Sequence, residues 1–113
     1  MHSFLDSVLP TQGVYCAVSI KSGKVRPSFH GTTADVDAAA QLANSINEDA
    51  YFALASFNDP SQGRIAANAA YLRCFFLDID VGTTKPYATH ADAAVALKAF
   101  VQTTGLPVPT ISA

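Results

Sequence analysis

The sequence is short of charge. Only 14% of its 113 residues are charged, against about 25% in typical soluble domains, while 50% are hydrophobic. So low a charge indicates surface that another part of a larger protein, or another subunit, covers. With a net charge of −2 and a pI of about 5.8, the chain as a whole does not attract nucleic acid, so any such contact has to be local.

Long apolar runs, a leader sequence and clustered cysteines are also lacking. No run approaches the roughly 20 apolar residues that span a membrane. Residues 1–9 have neither the basic start nor the long apolar stretch of a signal peptide. Cys16 and Cys74 lie far apart and form no CxxC pattern, which favours reduced thiols over a disulfide or a metal site. We therefore expect a cytoplasmic protein without a membrane segment.

Local residue patterns predict an α+β fold of short elements. Runs rich in β-branched and aromatic residues predict strands over residues 14–20, 24–29, 51–57 and 72–81. Helical spacing of apolar residues and capping residues predict helices over residues 1–9, 32–46, 64–71 and 89–104. The strand over residues 72–81 is the strongest of the four in this pattern.

Turn and cap residues support several of these elements. Ser22-Gly23 is typical of a hairpin turn between the first two strands. A threonine followed three residues later by aspartate marks the start of two helices, at Thr32 and Thr89, and Gly105 followed by Leu106-Pro107 marks a helix end. The first of these helices carries one apolar stripe, made of Val36, Ala39, Ala40, Ala43 and Ile46.

The end of the sequence predicts a fragment. Residues 108–113 are typical of a strand that begins and then stops without a turn or a polar tail. A strand cut short would leave backbone groups unpaired. We therefore expect residues 1–113 to be a single truncated domain.

The sharpest chemical feature is the segment Phe75–Gly82, which contains Asp78 and Asp80. If this segment is a strand, the alternating apolar residues fill the core and the two aspartates share the opposite face, with Cα atoms roughly 6.7 Å apart. Two such carboxylates repel by about 3 kcal/mol at an effective dielectric near 20. A divalent cation offsets that repulsion, and Mg²⁺ or Mn²⁺ prefers oxygen ligands. Alternatively, Asp78 and Asp80 end the strand and cap the following loop.

The residues around this pair resemble a known motif. The run Phe76–Gly82, followed by Lys85-Pro86-Tyr87-Ala88-Thr89, resembles the first catalytic motif of archaeo-eukaryotic-type primase-polymerases, above all those of phage and plasmid replication proteins. The resemblance covers nearly the whole chain, and its most specific stretch is residues 75–89. The other segments that fit the pattern are residues 4–10, 14–16, 51–55 and 105–110.

The resemblance implies a fold, an activity and a site. The chain would hold the N-terminal α/β elements and part of an RRM-like primase-polymerase core. Asp78 and Asp80 would be the catalytic ligands of Mg²⁺ or Mn²⁺, and the parent protein would join nucleoside triphosphates on a single-stranded DNA template. The family's second motif, with a nucleotide-contacting histidine, and its third, with another acidic ligand, do not occur in residues 1–113. The fragment alone is therefore expected to be inactive, and a helicase domain downstream would be compatible with the parent.

Other polar residues are weaker candidates. Lys85 lies five residues after Asp80 and could reach a triphosphate, and Arg64 and Asn68 would share one helix face that could line a template groove. Lys21, Lys24 and Arg26 cluster on the hairpin, where they could meet phosphates. A solvated surface position is the simpler explanation for each of these residues. The three histidines lie outside the second motif's context and receive no role: His2, His30 and His90.

Two other classes of function remain open. The run Asp80–Lys85 resembles the phosphate loop of sugar-kinase-like ATPases, but that loop joins two strands of a hairpin, whereas Pro86 and a helix follow here. An aspartyl-phosphate phosphatase motif requires Thr or Val at the position of Gly82, so the sequence argues against that class. The non-enzyme alternative is a small α/β binding module whose two aspartates are structural or hold an inert cation.

Overall fold

The structure, a computed structural model, describes residues 2–109, and the expected α+β class is confirmed within them. The described elements, in chain order, are α1 (His2–Val8), β1 (Tyr15–Lys21), β2 (Lys24–His30), α2 (Thr33–Ser45), β3 (Asp49–Phe52), β4 (Ala55–Phe57), β5 (Ala69–Leu72) and α3 (His90–Thr104). The chain divides into two compact units, one up to Phe75 and one from Phe76 onward. The first contains both sheets, and the second contains α3.

A three-stranded antiparallel sheet with the order β2-β1-β3 organises the first unit. The predicted hairpin between β1 and β2 is confirmed. Ser22 and Gly23 both have positive φ, 52° and 76°, which is the pattern of the type I′ turn that fits the twist of a hairpin. All seven residues of β1 therefore pair with β2, from Tyr15 opposite His30 to Lys21 opposite Lys24.

One face of this sheet carries the larger core cluster. Its buried members are Leu5, Leu9, Tyr15, Ala17 and Val36, contributed by α1, the segment after it, β1 and α2. Complete burial of a leucine or valine side chain contributes about 1.5–3 kcal/mol, so the burial of Leu5, Leu9 and Val36 stabilises this unit. Ile46, the last residue of the predicted stripe on α2, is 50% exposed because it lies beyond the helix at its C-cap.

The opposite face of the sheet holds a second cluster and a second sheet. Cys16, Val18 and Phe57 form this cluster, and β4 pairs with β5 in the small sheet. Val14 and Phe57 join the two sheets through reciprocal backbone hydrogen bonds of 2.9 and 2.8 Å. Gly13, at φ 90°, allows this approach, because a Cβ there would lie only 2.7 Å from Ser56 Oγ.

The predicted strand over residues 51–57 is two strands. β3 ends at Phe52 and pairs with β1, whereas β4 begins at Ala55 and pairs with β5. The chain bends at Leu54 and so passes from one sheet to the other. The sequence did not reveal this change of partner strand, because residues 51–57 form one continuous apolar run and both of its pieces favour a strand.

The predicted helix over residues 64–71 is wrong. Only Ala66–Asn68 forms a helical turn, of the 3₁₀ type, and β5 follows at once. The buried Asn68 side chain explains the difference. Its Nδ2 donates to the carbonyls of Asp59 and Gly63 at 2.7 and 2.8 Å, and its Oδ1 accepts from the Asp59 amide at 3.1 Å. An asparagine that satisfies loop backbone in this way competes with a helix.

The two helix starts predicted from threonine are confirmed. Thr32 Oγ1 accepts from the Asp35 amide and Thr89 Oγ1 accepts from the Asp92 amide, each at 3.2 Å. Gly105 ends α3 in the left-handed conformation, at φ 72°. At 15 residues α3 is the longest helix described, and no helix within residues 2–109 is long and apolar enough to cross a membrane. The strand predicted over residues 108–113 is absent at residues 108 and 109, and the rest of it lies outside the described residues.

A single hydroxyl tests the larger core. Tyr15 Oη donates to the Pro10 carbonyl at 2.5 Å in a buried position. We expect Tyr15→Phe to lower the free energy of unfolding by about 1–3 kcal/mol, since the carbonyl would lose its partner without gaining water. Tyr51→Phe is the matched control, because Tyr51 is exposed and its hydroxyl carries no such bond. Urea unfolding of both variants measures the difference, and equal stabilities would contradict this role for Tyr15.

The two thiols should differ in reactivity. Burial raises the pKa of the Cys16 thiol, against smaller opposing effects of Arg64 and of a hydrogen bond from the Ser28 backbone, whereas Cys74 is only half-buried. Because the thiolate is the reactive form, we expect a chromogenic disulfide reagent to label Cys16 at least about tenfold more slowly than Cys74 at mildly alkaline pH. The single-cysteine variants Cys16→Ser and Cys74→Ser assign the two phases. Equal rates would show that β1 opens readily.

Candidate metal site

The segment that carries Asp78 and Asp80 is not the strand that its sequence predicts. β5 ends at Leu72, and residues 73–80 adopt no regular element. The reason lies in the partner strand, since β4 has only three residues and its first, Ala55, already pairs with Leu72. Backbone groups beyond Leu72 therefore have no neighbouring strand to bond, and a strand does not persist without one.

The expected core face of this segment is also wrong. Phe75 is 89% exposed and Leu77 is 61% exposed, so neither fills a core in this structure. Phe76, on the opposite parity, is exposed as well, at 56%. Without a strand, the alternation that would place Asp78 and Asp80 on one face no longer applies.

The two aspartates are nevertheless both accessible. Asp80 and Asp78 lie exposed in the second unit, and Asp80 Oδ2 lies 3.8 Å from Lys85 Nζ. Within residues 2–109, Asp78 makes no hydrogen bond or ion pair. The Arg73 guanidinium could compete with a metal ion for these carboxylates. It is instead used within the first unit, where it donates to the backbone carbonyls of Asp6 and Leu9.

A short closed loop brings Lys85 back to Asp80. Val81 and Tyr87 form an isolated parallel bridge, and the Gly82 amide donates to the Tyr87 carbonyl at 3.0 Å. Inside the loop the Lys85 amide donates to the Gly82 carbonyl at 3.1 Å, which turns the chain back on itself. The loop predicted at residues 82–86 is confirmed. With half or more of each side chain exposed, a pair such as Asp80–Lys85 contributes about 0–1 kcal/mol, so Lys85 can leave it at little cost.

These residues fit a weakly held magnesium or manganese ion. Mg²⁺ is usually bound through one or two carboxylates, with waters and substrate phosphates completing its octahedral shell. Asp78 and Asp80 supply two accessible carboxylates two positions apart. Among residues 2–109 no group of three or more histidine, cysteine, aspartate or glutamate side chains gathers to hold a metal. Two carboxylates are too few for an enclosed structural site, and they would leave most of the shell of such an ion to other oxygen ligands.

Arg64 and Asn68 do not form the shared helix face that the sequence predicts. Asn68 is buried and its amide is used by the loop backbone, so it is not available to a template. Arg64 stays exposed and lines a shallow cavity on the three-stranded sheet together with Val18 and Tyr51. Lys85 belongs to the second unit and Arg64 to the first.

The hairpin of β1 and β2 does bring Lys21, Lys24 and Arg26 together, but one of these charges is partly neutralised. Arg26 Nη1 lies 3.6 Å from Glu48 Oε1, and the Glu48 side chain is almost fully buried. Lys21 and Lys24 face each other as the last pair of the β1–β2 ladder and are exposed. Two lysines therefore remain available to phosphates. Of the histidines with described side chains, His30 bonds Ser28 Oγ at 2.8 Å, and His90 begins α3.

Tyr51 is the residue that the sequence reading missed. The apolar run from Tyr51 to Phe57 predicted a buried strand, yet Tyr51 is 54% exposed on β3. The signal was present in the alternation of β3, where Asp49 and Tyr51 share one parity and Ala50 and Phe52 the other. Asp49, two positions before Tyr51, is polar, and it indicated that the face of β3 that carries Tyr51 is exposed to solvent.

No family model matches the chain, and neither does any curated protein or any solved structure.

Metal binding tests this loop directly. We expect Asp80→Asn and Asp78→Asn each to weaken Mn²⁺ binding by about tenfold, because each removes one of two carboxylate ligands, a loss of about 1.4 kcal/mol. Lys85→Ala should instead strengthen binding of the bare ion, since it removes the cation that competes for Asp80. Electron paramagnetic resonance of free Mn²⁺ measures all three. Asp92→Asn, an exposed acid at the start of α3, is the control, and an equal loss in that variant would contradict a site at Asp78 and Asp80.

Proposed function

We propose that this chain supplies the first metal-binding carboxylates of a primase-polymerase that joins nucleoside triphosphates on a single-stranded DNA template. The single observation that carries the proposal is that Asp78 and Asp80 are both accessible and that the following loop brings Lys85 Nζ to 3.8 Å from Asp80 Oδ2. The motif resemblance of residues 75–89 supports the same function.

The chemistry follows from the charges in this loop. Asp78 and Asp80 would hold Mg²⁺ or Mn²⁺, and the ion would supply positive charge against the negative charge that develops on the reacting oxygens in phosphoryl transfer. Lys85 leaves the Asp80 carboxylate, pairs with the triphosphate and helps to orient the triphosphate. Such positioning supplies much of the rate in these reactions. The 3′-hydroxyl of the growing strand attacks the α-phosphorus and releases its proton to solvent. A bond forms between the 3′-oxygen and the α-phosphorus, the bond from the α-phosphorus to the bridging oxygen of the β-phosphate breaks, and pyrophosphate leaves.

The shape of the loop favours this proposal over the kinase-like alternative. A sugar-kinase-like phosphate loop joins two antiparallel strands of a hairpin. Here residues 82–86 are closed by a parallel bridge between Val81 and Tyr87, and α3 follows. The non-catalytic binding module differs from the proposal in a measurable way, because it requires no response of nucleotide binding to Mn²⁺.

The finer fold and the setting belong to the same proposal. Residues 2–109 would provide the N-terminal α/β elements and part of an RRM-like primase-polymerase core. The protein would act in the cytoplasm in phage or plasmid replication, with a histidine-bearing motif and a further acidic ligand supplied by sequence other than residues 1–113. A downstream helicase domain is compatible with that role.

Nucleotide incorporation tests the proposal. We expect residues 1–113 alone to incorporate no labelled nucleotide on a single-stranded DNA template, because two carboxylates and one lysine do not hold a triphosphate against the attacking hydroxyl. A longer protein that adds a glycine-rich strand with a histidine should be active with Mn²⁺ or Mg²⁺. Asp78→Ala and Asp80→Ala should each abolish that activity while circular dichroism and melting temperature stay unchanged.

Two results would contradict the proposal. Incorporation by residues 1–113 alone would place the active site elsewhere in the chain. An extended protein that stays active with both alanine substitutions would remove the primase-polymerase function for this loop. Asp92→Ala serves as the matched acidic control in the same unit.

A further inference from the structure

The face of the three-stranded sheet that carries Cys16 and Val18 is only half covered within the first unit. The small sheet of β4 and β5 covers the end of this face at Cys16, where Phe57 and Phe29 pack edge to face with ring centroids 5.7 Å apart. Beyond Val18 nothing in the first unit covers the face to the same degree. Val25 is 47% exposed and Tyr51 is 54% exposed, although both belong to paired strands.

The uncovered half is a shallow apolar basin. We define the basin by Val18, Ile20, Val25, Tyr51, Ala53 and Arg64, which line a cavity of about 240 Å³. The register explains its shape, because Ile20 pairs with Val25 and Val18 pairs with Tyr51, so neighbouring strands present these side chains side by side. A pocket for a whole drug-sized ligand has about 300–1,000 Å³, so the basin fits one planar ring of a larger ligand.

The charges around the basin favour an anionic ligand. Arg64 lines the basin and forms no ion pair with a carboxylate of residues 2–109. Its guanidinium acts on the same sheet face, where burial raises the pKa of the Cys16 thiol and Arg64 opposes that rise. Lys21 and Lys24 end the hairpin one pair beyond Ile20 and Val25, about 3.3 Å along the strands. Their side chains start from the opposite face, so they add positive potential at the rim.

We propose that the basin binds single-stranded nucleic acid, with one base stacked on Tyr51 and an adjacent phosphate on Arg64. An exposed tyrosine ring beside aliphatic side chains offers a stacking surface that any base fits, and stacking on aromatic side chains is a main source of affinity for single strands. The guanidinium matches a phosphate through paired hydrogen bonds. An uncharged peptide would use the apolar surface but would leave Arg64 without a partner.

One acidic residue opposes the ligand and sharpens the test. Asp49 lies two residues before Tyr51 on β3, opposite Ile20, and alternation places it on the same face as the basin. It is exposed, so it repels a phosphate that approaches from that side. Binding should therefore occur despite Asp49, and removal of its charge should strengthen it.

The basin deepens the proposed function by naming a surface for the single-stranded template, and in that sense it rests on that function. The two are separable by measurement. The basin lies wholly in the first unit, whereas Asp78, Asp80 and Lys85 lie in the second. Oligonucleotide binding in the absence of metal reports on the basin, and Mn²⁺ binding reports on the loop.

Fluorescence anisotropy of a labelled oligothymidylate with the whole chain, in low-salt buffer without metal, tests the proposal. We expect Tyr51→Ala to weaken binding about ten- to a hundredfold and Tyr51→Phe to leave it unchanged, since the ring rather than the hydroxyl stacks. Arg64→Ala should weaken binding and lower the salt dependence by about 0.7 in the slope of log affinity against log salt, the value of one lost phosphate contact on a single strand. Asp49→Asn should strengthen binding.

Matched controls separate the basin from general surface effects. Tyr71→Ala removes another exposed tyrosine, 47% exposed against 54% for Tyr51, from β5 in the same unit, and Lys98→Ala removes a cation from α3. Both should bind as the unchanged chain does, and Asp78→Asn should do so too.

Three results of the binding assay would overturn the proposal: no binding by the unchanged chain, equal losses in Tyr51→Ala and Tyr71→Ala, or weaker binding in Asp49→Asn. Self-association of the chain that disappears in Tyr51→Ala, measured by sedimentation, would show that the basin is an interface between copies and would also overturn it.

Discussion

The pairing of β1 on both of its edges is the constraint on which the first unit depends. Tyr15 to Lys21 bond β2 along their full length, and Ala17 to Ile20 bond β3 on the other edge. The same strand is covered on both faces near its start, where Tyr15 and Ala17 meet the helices and Cys16 and Val18 meet Phe57. Because coverage fades toward Ile20 and Lys21, the strand is anchored at one end and presents a sheet surface at the other.

Elements whose signals are local could be predicted from the sequence. The hairpin turn at Ser22-Gly23 and the helix starts at Thr32 and Thr89 depend on side chains within three residues of the backbone that they stabilise, and all are present. The prediction of a strand over residues 72–81 was wrong because this element depends on residues that are distant in sequence. Its residues favour a strand, but a strand also requires a partner, and β4 ends the ladder at Leu72. Strand propensity carries no information about the length of the neighbouring strand.

The candidate site divides in the same way. The sequence identified Asp78 and Asp80, and their exposure is compatible with a metal, but the face that they were expected to share depended on the failed strand. The closeness of Lys85 to Asp80 arises from the bridge between Val81 and Tyr87, which joins residues six apart and has no signal in composition. Asn68 shows the limit of spacing arguments, since its amide turns into the loop backbone and leaves Arg64 alone at the surface.

The junction of Val14 with Phe57 has a consequence for how the first unit comes apart. Two backbone hydrogen bonds couple the start of the central strand to the small sheet, and the close approach beside Gly13 leaves no room for slippage. Opening of β4 therefore exposes the Phe57 side of the Cys16 cluster at the same moment. Regions coupled in this way open as one cooperative unit, and the amides of such a unit share a common free energy of opening in hydrogen exchange. We therefore expect the two sheets of the first unit to open together, although no strand belongs to both.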